Sequence, residues 1–368
     1  MKIGILTSSR ADFGIYQPLL AELKHQNVDI HIIAFGMHMM GMYGNTINQI
    51  KEGNYGTVHE LAGLTDDDSP MGINQSYAHI IESFSRFWNK NSFDKVIALG
   101  DRFEMNAAVQ STIPFEIYVC HIHGGETTLG ATDNIYRHQI TLAASQHFAA
   151  SAIFATKINS LKPENSNSTY NVGALSLDNL LDSPIPSWHT VTKEFSIPNV
   201  PFVLITVHPE TVGLENNNQN IKQFIGAVTQ ILSDIHLIIT MPNADSYGKM
   251  YREAFIKLKT KHPENVSIIE TFGKLNYFSA MKNAKYLLGN TSSGIIEAAS
   301  FGKYVINVGD RQKGRLRSKN VIDASFNKKE ILAAISKIEK TPVFNGGNLY
   351  KQDNTAKKIV EKLLNEKL

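Results

Sequence analysis

Short apolar runs alternate with amphipathic helical stretches along this chain, and the alternation occurs twice. "KIGILTSSR", "DIHIIAFG", "KVIALGDR" and "IYVCHIHGG" are aliphatic or β-branched, and each closes on glycine or polar residues. Between them lie "GIYQPLLAELKHQ", with Tyr16, Leu19, Leu20 and Leu23 at helical spacing, then "QSYAHIIESFSRFWNK" and "IYRHQITLAASQ". Apolar runs bounded by turns and separated by helices predict a parallel sheet covered on both faces. Around residues 163 to 200 the texture changes, and "KPENSNSTYN" and "DSPIPSW" read as loop and linker. The alternation then restarts with "PFVLITVHPE", "HLIITMPNAD", "NVSIIETFG", "AKYLLGNTSSG" and "KYVINVGDR". A last helix, "NTAKKIVEKLLNEKL", carries an apolar stripe at Ile359, Leu363 and Leu364.

The expected architecture is α/β, with two Rossmann-like domains. Residues 1–180 form the first and residues 181–350 the second, with a terminal helix over 351–368. A length of 368 residues suits two domains of ordinary size, and 42% hydrophobic residues can fill their cores. The net charge of +2 recruits neither nucleic acid nor an anionic membrane, so any anion site must be local. Cys120, the single cysteine, excludes an internal disulfide and multi-cysteine metal sites, and suits a reducing compartment. The apolar run at the start is too short for a signal peptide, and no window approaches the roughly 18 apolar residues of a membrane helix. A cytoplasmic protein with no membrane or nucleic-acid partner is expected.

In open α/β sheets ligands bind beyond the carboxyl ends of the strands. The polar residues of this chain sit in those loops. Arg10 and Asp12 follow the first strand, Asp101 follows "VIALG" and Glu126 follows "YVCHIH". In the second half His208 follows "VLITV" and "GNTSSG" follows "YLL". Two such domains would face one cleft. The "GNTSSGIIEAAS" loop lacks the Lys-Ser/Thr pair of a P-loop, and the chain has no glycine fingerprint for a dinucleotide. A helix start beside Thr291, Ser292 and Ser293 remains, which is an anion cradle or an ordinary N-cap. No capping box explains Glu297, four residues after Ser293, whose carboxylate can bind ribose hydroxyls.

Such a terminus contributes roughly 0.3–1 kcal/mol to an anion, against about 8 kcal/mol for micromolar affinity. Charged donors must supply the rest. "GDRQKGRLRSK" offers Arg311, Lys313, Arg315, Arg317 and Lys319 at alternate positions, on one side if the segment is extended. Read as a nucleic-acid patch, the segment lacks interleaved aromatics.

"HIHGGETTLGATDNIYRH", His121 to His138, admits three readings. His121, His123 and Glu126 could approach a metal, though no third ligand of fixed geometry is visible. Asp133 could cap the helix near Ile135, and Asp101 with Glu104 resembles a capping box. His138 and His147 read as packing residues. In the third reading Asp101, Glu126 and Asp133 form a carboxylate cluster facing an anion site. Such a cluster raises the pKa of its members and suits proton transfer beside a leaving diphosphate.

Taken in order, "SSRADFGIYQPLL", "GMYGNTI", "ALGDRFE", "HIHGGETTLGATD", "RH", "HPET", "GNTSSGIIEA" and "NVGDRQKGR" resemble the hydrolysing UDP-N-acetylglucosamine 2-epimerases of nonulosonic acid biosynthesis. The resemblance runs from residue 4 to about 320. It implies a GT-B arrangement with the active site in the interdomain cleft and the terminal helix returning to the first domain. It also implies a reaction. UDP leaves C1 as the C2 proton is removed, giving a glycal-type intermediate with a C1=C2 double bond. Water then adds, and UDP-GlcNAc yields ManNAc and UDP. No metal or redox cofactor is implied, and the assembly implied is a homodimer or homotetramer.

Carried over by the resemblance, Arg10, His208, Ser292 and Ser293 hold the diphosphate and Glu297 the ribose. Asp101, Glu126 and Asp133 share the proton transfers, with His208 beside them. Arg102, Arg137, Asn243, Asp245, Arg311 and Arg315 match cleft positions, and His38 is a candidate on the sugar side. Two departures bear on the reading. Where the non-hydrolysing branch has a Gln-His-Arg-Glu-type activator stretch, this chain has "FGMHMMGMYGN". The region between the carboxylates also leaves open UDP-2,4-diacetamido-2,4,6-trideoxyglucose, the substrate of the legionaminic branch. A GT-B glycosyltransferase would share the nucleotide loop but would not need three carboxylates. Against a nucleotide-sugar-binding regulator stand the same carboxylates, whose buried negative charge would repel a diphosphate unless it does chemistry.

Overall fold

The computed structural model describes residues 1–41, 46–178, 180, 185–242 and 247–366. The chain divides into two compact units. One comprises Met1–Glu126, Asp133–Asp182 and Tyr350–Leu368; the other comprises Thr127–Thr132 and Ser183–Leu349.

The first unit is built on strands β1 (Lys2–Thr7), β2 (Asp29–Ala34), β3 (Thr57–Glu60), β4 (Lys95–Leu99), β5 (Val119–Ile122), β6 (Gln146–Ala149) and β7 (Thr169–Asn171). They form one parallel sheet in the order β3-β2-β1-β4-β5-β6-β7. Successive side chains go to opposite faces, so an apolar run feeds two cores. Ile3, Ile5, Ile97 and Cys120 pack with Leu19, Leu20 and Leu23 of the helix Arg10–His25. Leu6, Val96, Ala98 and Val119 pack on the other face with Ile80, Phe84 and Trp88 of the helix Pro70–Trp88.

The helix Thr355–Asn365 joins the first of these cores through Ala356, Ile359, Val360 and Leu363. Its start is held by Asp178, whose carboxylate accepts the Thr355 and Ala356 N–H groups at 2.9 and 2.8 Å. At its end the Lys95 ammonium, fully buried, donates to the carbonyls of Leu363 and Glu366 at 2.8 and 3.0 Å. A cation beside the last carbonyls is the favourable placement for a helix dipole.

The second unit repeats the plan with β8 (Phe202–Thr206), β9 (His236–Thr240), β10 (Val266–Ile269), β11 (Leu287–Gly289), β12 (Val305–Val308) and β13 (Val321–Ala324). All pairings are parallel, in the order β10-β9-β8-β11-β12-β13. In both sheets the chain works outward from its first strand and then crosses to that strand's other side. The β1/β4 and β8/β11 boundaries are therefore the switch points where such sheets open a crevice.

Four strands are not visible as apolar runs in the sequence. β3, β7 and β13 are edge strands with half-exposed, partly polar sequences, and β6 is only Gln-His-Phe-Ala. The stretch read as loop at 163–171 holds a 3-10 helix, Pro163–Ser168, and then β7. Among the described residues no helix is long and apolar enough to cross a membrane.

Candidate active site

The loop after β1 is organised by Asp12. Ser9 caps the helix Arg10–His25 and forms a capping box with Asp12. The buried Asp12 carboxylate accepts Thr7 Oγ1 at 2.7 Å, Ser8 N at 2.9 Å and Ser9 N at 3.0 Å. Burial alone would raise its pKa, but these bonds and the neighbouring His38 outweigh that and hold it below the usual carboxylate range. Arg10 is thus the first helical residue of a fixed turn. His38 is fully buried, with its ring nitrogens 2.9 Å from Thr7 Oγ1 and 2.7 Å from Thr46 Oγ1. It braces this loop from within, where the sequence suggested a sugar contact.

One arginine links the Asp101 carboxylate to the main chain of Glu126. Arg137, 1% exposed, pairs through Nη2 with Asp101, just beyond β4, and its Nη1 donates to the Glu126 carbonyl at 3.2 Å. Asp133 opens the helix Asp133–Ala143 and lies four residues before Arg137, on the same face. Glu126 is fully buried, and its Oε1 lies 2.7 Å from His123 Nδ1. The carboxylates of Asp101 and Glu126 therefore each have a basic partner. The capping box does not form: the N-cap of the helix Phe103–Gln110 is Arg102, and Glu104 instead receives the Arg102 guanidinium at 2.9 Å.

The surrounding geometry is tight. His121 Nε2 lies 2.8 Å from the Gly100 carbonyl, so it carries the proton, and burial pushes the ring's pKa down to about 4. His123 adopts φ +66°, unusual for a residue with a side chain. Gly125 has φ +77°, and a Cβ there would meet the Phe154 carbonyl oxygen at 2.5 Å. Among the described residues no group of three or more His, Cys, Asp or Glu is placed to hold a metal ion.

In the second unit the centre is Asn290, which sequence reasoning passed over. Fully buried, it accepts His208 N at 2.7 Å and donates to His208 O at 2.9 Å. Arg311, 8% exposed, donates to the Pro209 carbonyl at 3.1 Å. The main chain around His208 is thus clamped from two sides. Glu210, the acid of "HPET", was also missed; it is fixed at its main chain by Asn217, with bonds of 3.0 and 2.8 Å. Burial is the main cause holding the Glu210 carboxyl above the usual range.

The "GNTSSG" loop gives a single helical turn, Ser292–Ile296. Its N-cap, Thr291, makes no side-chain capping bond. Gly289, at φ +147°, lies where any Cβ would collide with the Thr206 carbonyl. Tyr277 hydrogen-bonds Thr206 and Ser293, and burial pushes its pKa up to about 12. Glu297 is buried one turn on, its N–H donating to Ser293 O at 3.0 Å.

The basic segment is not one stripe. Residues 311–314 form a turn closed by Gly314 at φ +85°, so alternate residues diverge. Arg315 donates to Gln312 Oε1 at 2.8 Å, Lys313 meets Asp310 at 3.1 Å in solvent, and Arg317 pairs with Asp323. Gln312 in turn donates to the Asn290 carbonyl at 2.8 Å. The Thr127–Thr132 segment, flanked by Glu126 and Asp133, is held in this unit, with Leu129 N donating to the Lys313 carbonyl at 2.9 Å. Asn243, Asp245 and residues 42–45 of "GMYGN" lie outside the described residues.

Two parallel doubly wound sheets, with acids at the strand ends of one and a hydroxyl-rich turn at the strand ends of the other, define a two-domain α/β protein. Solved structures agree on that fold. The UDP-GlcNAc 2-epimerase of Methanocaldococcus jannaschii, in complex with UDP-GlcNAc and UDP, superposes with a TM-score of 0.84 at 19% identity, covering 99% of both chains. In sequence, the chain is 30% identical to a Legionella pneumophila UDP-N,N'-diacetylbacillosamine 2-epimerase (hydrolyzing), covering 98% of this chain and 95% of that one. It is also 30% identical to the Escherichia coli polysialic acid biosynthesis protein P7, covering 91% and 85%. The UDP-N-acetylglucosamine 2-epimerase family profile matches residues 21–364. The chain belongs to that family.

Proposed function

We propose that the chain is a hydrolysing UDP-sugar 2-epimerase, converting UDP-GlcNAc and water into ManNAc and UDP. Family membership, together with the Asp101–Arg137 and Glu126–His123 pairs at the strand ends, carries this reading. In the elimination step the C2–H pair becomes the C1=C2 bond, the C1–O pair leaves with the diphosphate, and the proton passes to a base of the first unit. In the second step water adds at C1 and a proton returns to the other face of C2. Asp101, Glu126 and Asp133 are the acids and bases of this scheme. Arg137, committed to Asp101 and to the Glu126 main chain, positions them, and Arg102 acts from beside them through its hold on Glu104.

Arg10, His208, Ser292 and Ser293 hold the diphosphate and stabilise its charge as it leaves, and Glu297 holds the ribose. Arg311 serves by fixing the loop that presents His208, and Arg315 through Gln312. By the resemblance alone, Asn243 and Asp245 match family positions lining the cleft. His38 keeps the Arg10 turn rigid from behind.

A second substrate is favoured by the name of the Legionella relative. Diacetylbacillosamine is a 2,4-diacetamido-2,4,6-trideoxyglucose, and an enzyme taking its UDP derivative would run the same two steps. Proton NMR in D2O with each UDP-sugar tests the proposal. Free ManNAc and UDP with deuterium at C2 are expected from UDP-GlcNAc. Turnover of the diacetamido sugar alone moves the substrate and keeps the mechanism. A product still attached to UDP makes the enzyme non-hydrolysing, and no UDP release from either sugar overturns the reading.

A further inference from the structure

We infer that His123, rather than Glu126 alone, carries a proton in the reaction. The inference rests on the epimerase reading above. Glu126 Oε1 and His123 Nδ1 are 2.7 Å apart, and both side chains are more than nine-tenths buried. A carboxylate accepts, so Nδ1 carries hydrogen and the second nitrogen, Nε2, is the exchangeable one. Nε2 is buried and has no hydrogen-bond partner among the described residues. A buried polar atom without a partner in the protein costs stability, and its place at a strand end gives it a use. The backbone points the same way, since His123 is held at φ +66° and such conformations gather at functional sites.

The other histidines of the segment do not compete. Both nitrogens of His121 lie against Thr141 and the Gly100 carbonyl. His138 Nδ1 and both His147 nitrogens are also buried without a partner among the described residues. These rings sit within a helix and within β6 rather than in a loop beyond a strand's carboxyl end, and neither has a carboxylate on its other nitrogen to balance an imidazolium. The chemistry favours an imidazole as well. A carbon-bound proton calls for the stronger base, and imidazole titrates about two units above a carboxylate. In the elimination His123 Nε2 takes the C2 proton, the C–H pair forms the C1=C2 bond, and the C1–O pair departs with the diphosphate. Glu126 keeps the ring oriented and balances the imidazolium charge.

The left-handed backbone makes the test clean, because asparagine and glycine both tolerate it. His123→Asn keeps an N–H for Glu126 but has no second basic nitrogen. His123→Gly opens room for added imidazole. Both are assayed with the sugar that the wild type turns over, alongside UDP affinity by calorimetry. Expected for His123→Asn is a kcat loss of about 100-fold or more with UDP affinity and KM nearly unchanged. Imidazole should revive His123→Gly, with a rate that rises with pH through the pKa of imidazole itself. Undiminished turnover in His123→Asn, or a His123→Gly variant that imidazole fails to revive, overturns the inference. A wild type inactive on both sugars overturns the epimerase reading first.

Discussion

Burial decides the charge of three histidines around the first sheet. It pushes His121 and His138 down to about 4 and His147 to about 3, so all three are neutral in the folded state at physiological pH. The unfolded chain takes up a proton on each near pH 6.5. Below that value protonation favours the unfolded state until the folded pKa is reached, so stability falls as pH drops from about 6.5 to about 4. For the fully buried His121 alone the loss is about 3 kcal/mol across the window. Asp12, whose folded pKa is depressed, loses its contribution as pH falls further, in the same direction. Urea unfolding at pH 7, 5.5 and 4.5 should show a midpoint that moves steadily down; a constant midpoint would contradict the buried neutral rings. At this scale the positions of the acids were legible, because Asp101 stands just beyond β4 and Glu126 in the loop after β5. Asn290, Gln312 and Glu210 stayed hidden. Their partners are main-chain groups of distant loops, and no spacing in the sequence records such a bond.

Elements were legible where they are buried on both faces. β1, β4, β5 and β8 are continuous apolar runs because each face meets its own core. The edge strands β3, β7 and β13 need cover on fewer sides, so their sequences are mixed and pass for loops. The basic segment misled for a related reason: alternation implies one side only in an extended chain, and Gly314 turns this one. The β5 loop offers the sharpest test at this scale. Gly125→Ala must place a methyl against the Phe154 carbonyl in a backbone conformation that disfavours it. A loss of roughly 2 kcal/mol or more in stability is expected, with kcat falling because Glu126 is the next residue. A variant with native melting temperature and full turnover would show that the loop tolerates movement.

The first unit is assembled from both ends of the chain. Ile359, Val360 and Leu363 complete the core begun by Ile3, Ile5 and Leu19, and the buried Lys95 ammonium meets the last carbonyls of the same helix. Those three side chains contribute roughly 5 kcal/mol or more by area. A whole domain has about 5–15 kcal/mol. A chain ending at residue 353 should therefore aggregate or melt without cooperativity, and a soluble truncate with an unchanged transition would contradict this packing. The terminal stripe was readable as a helix, but its destination followed only from the family resemblance, since no local pattern says which core an amphipathic face enters. The arrangement also sets a schedule. At 5–20 residues per second, the ribosome needs on the order of ten seconds or more to make the second unit. Throughout that interval the first sheet is complete in its strands and bare along the groove that the last helix fills. The earliest part of the chain to be made is among the last to become native, and during synthesis its need for a chaperone is greatest there.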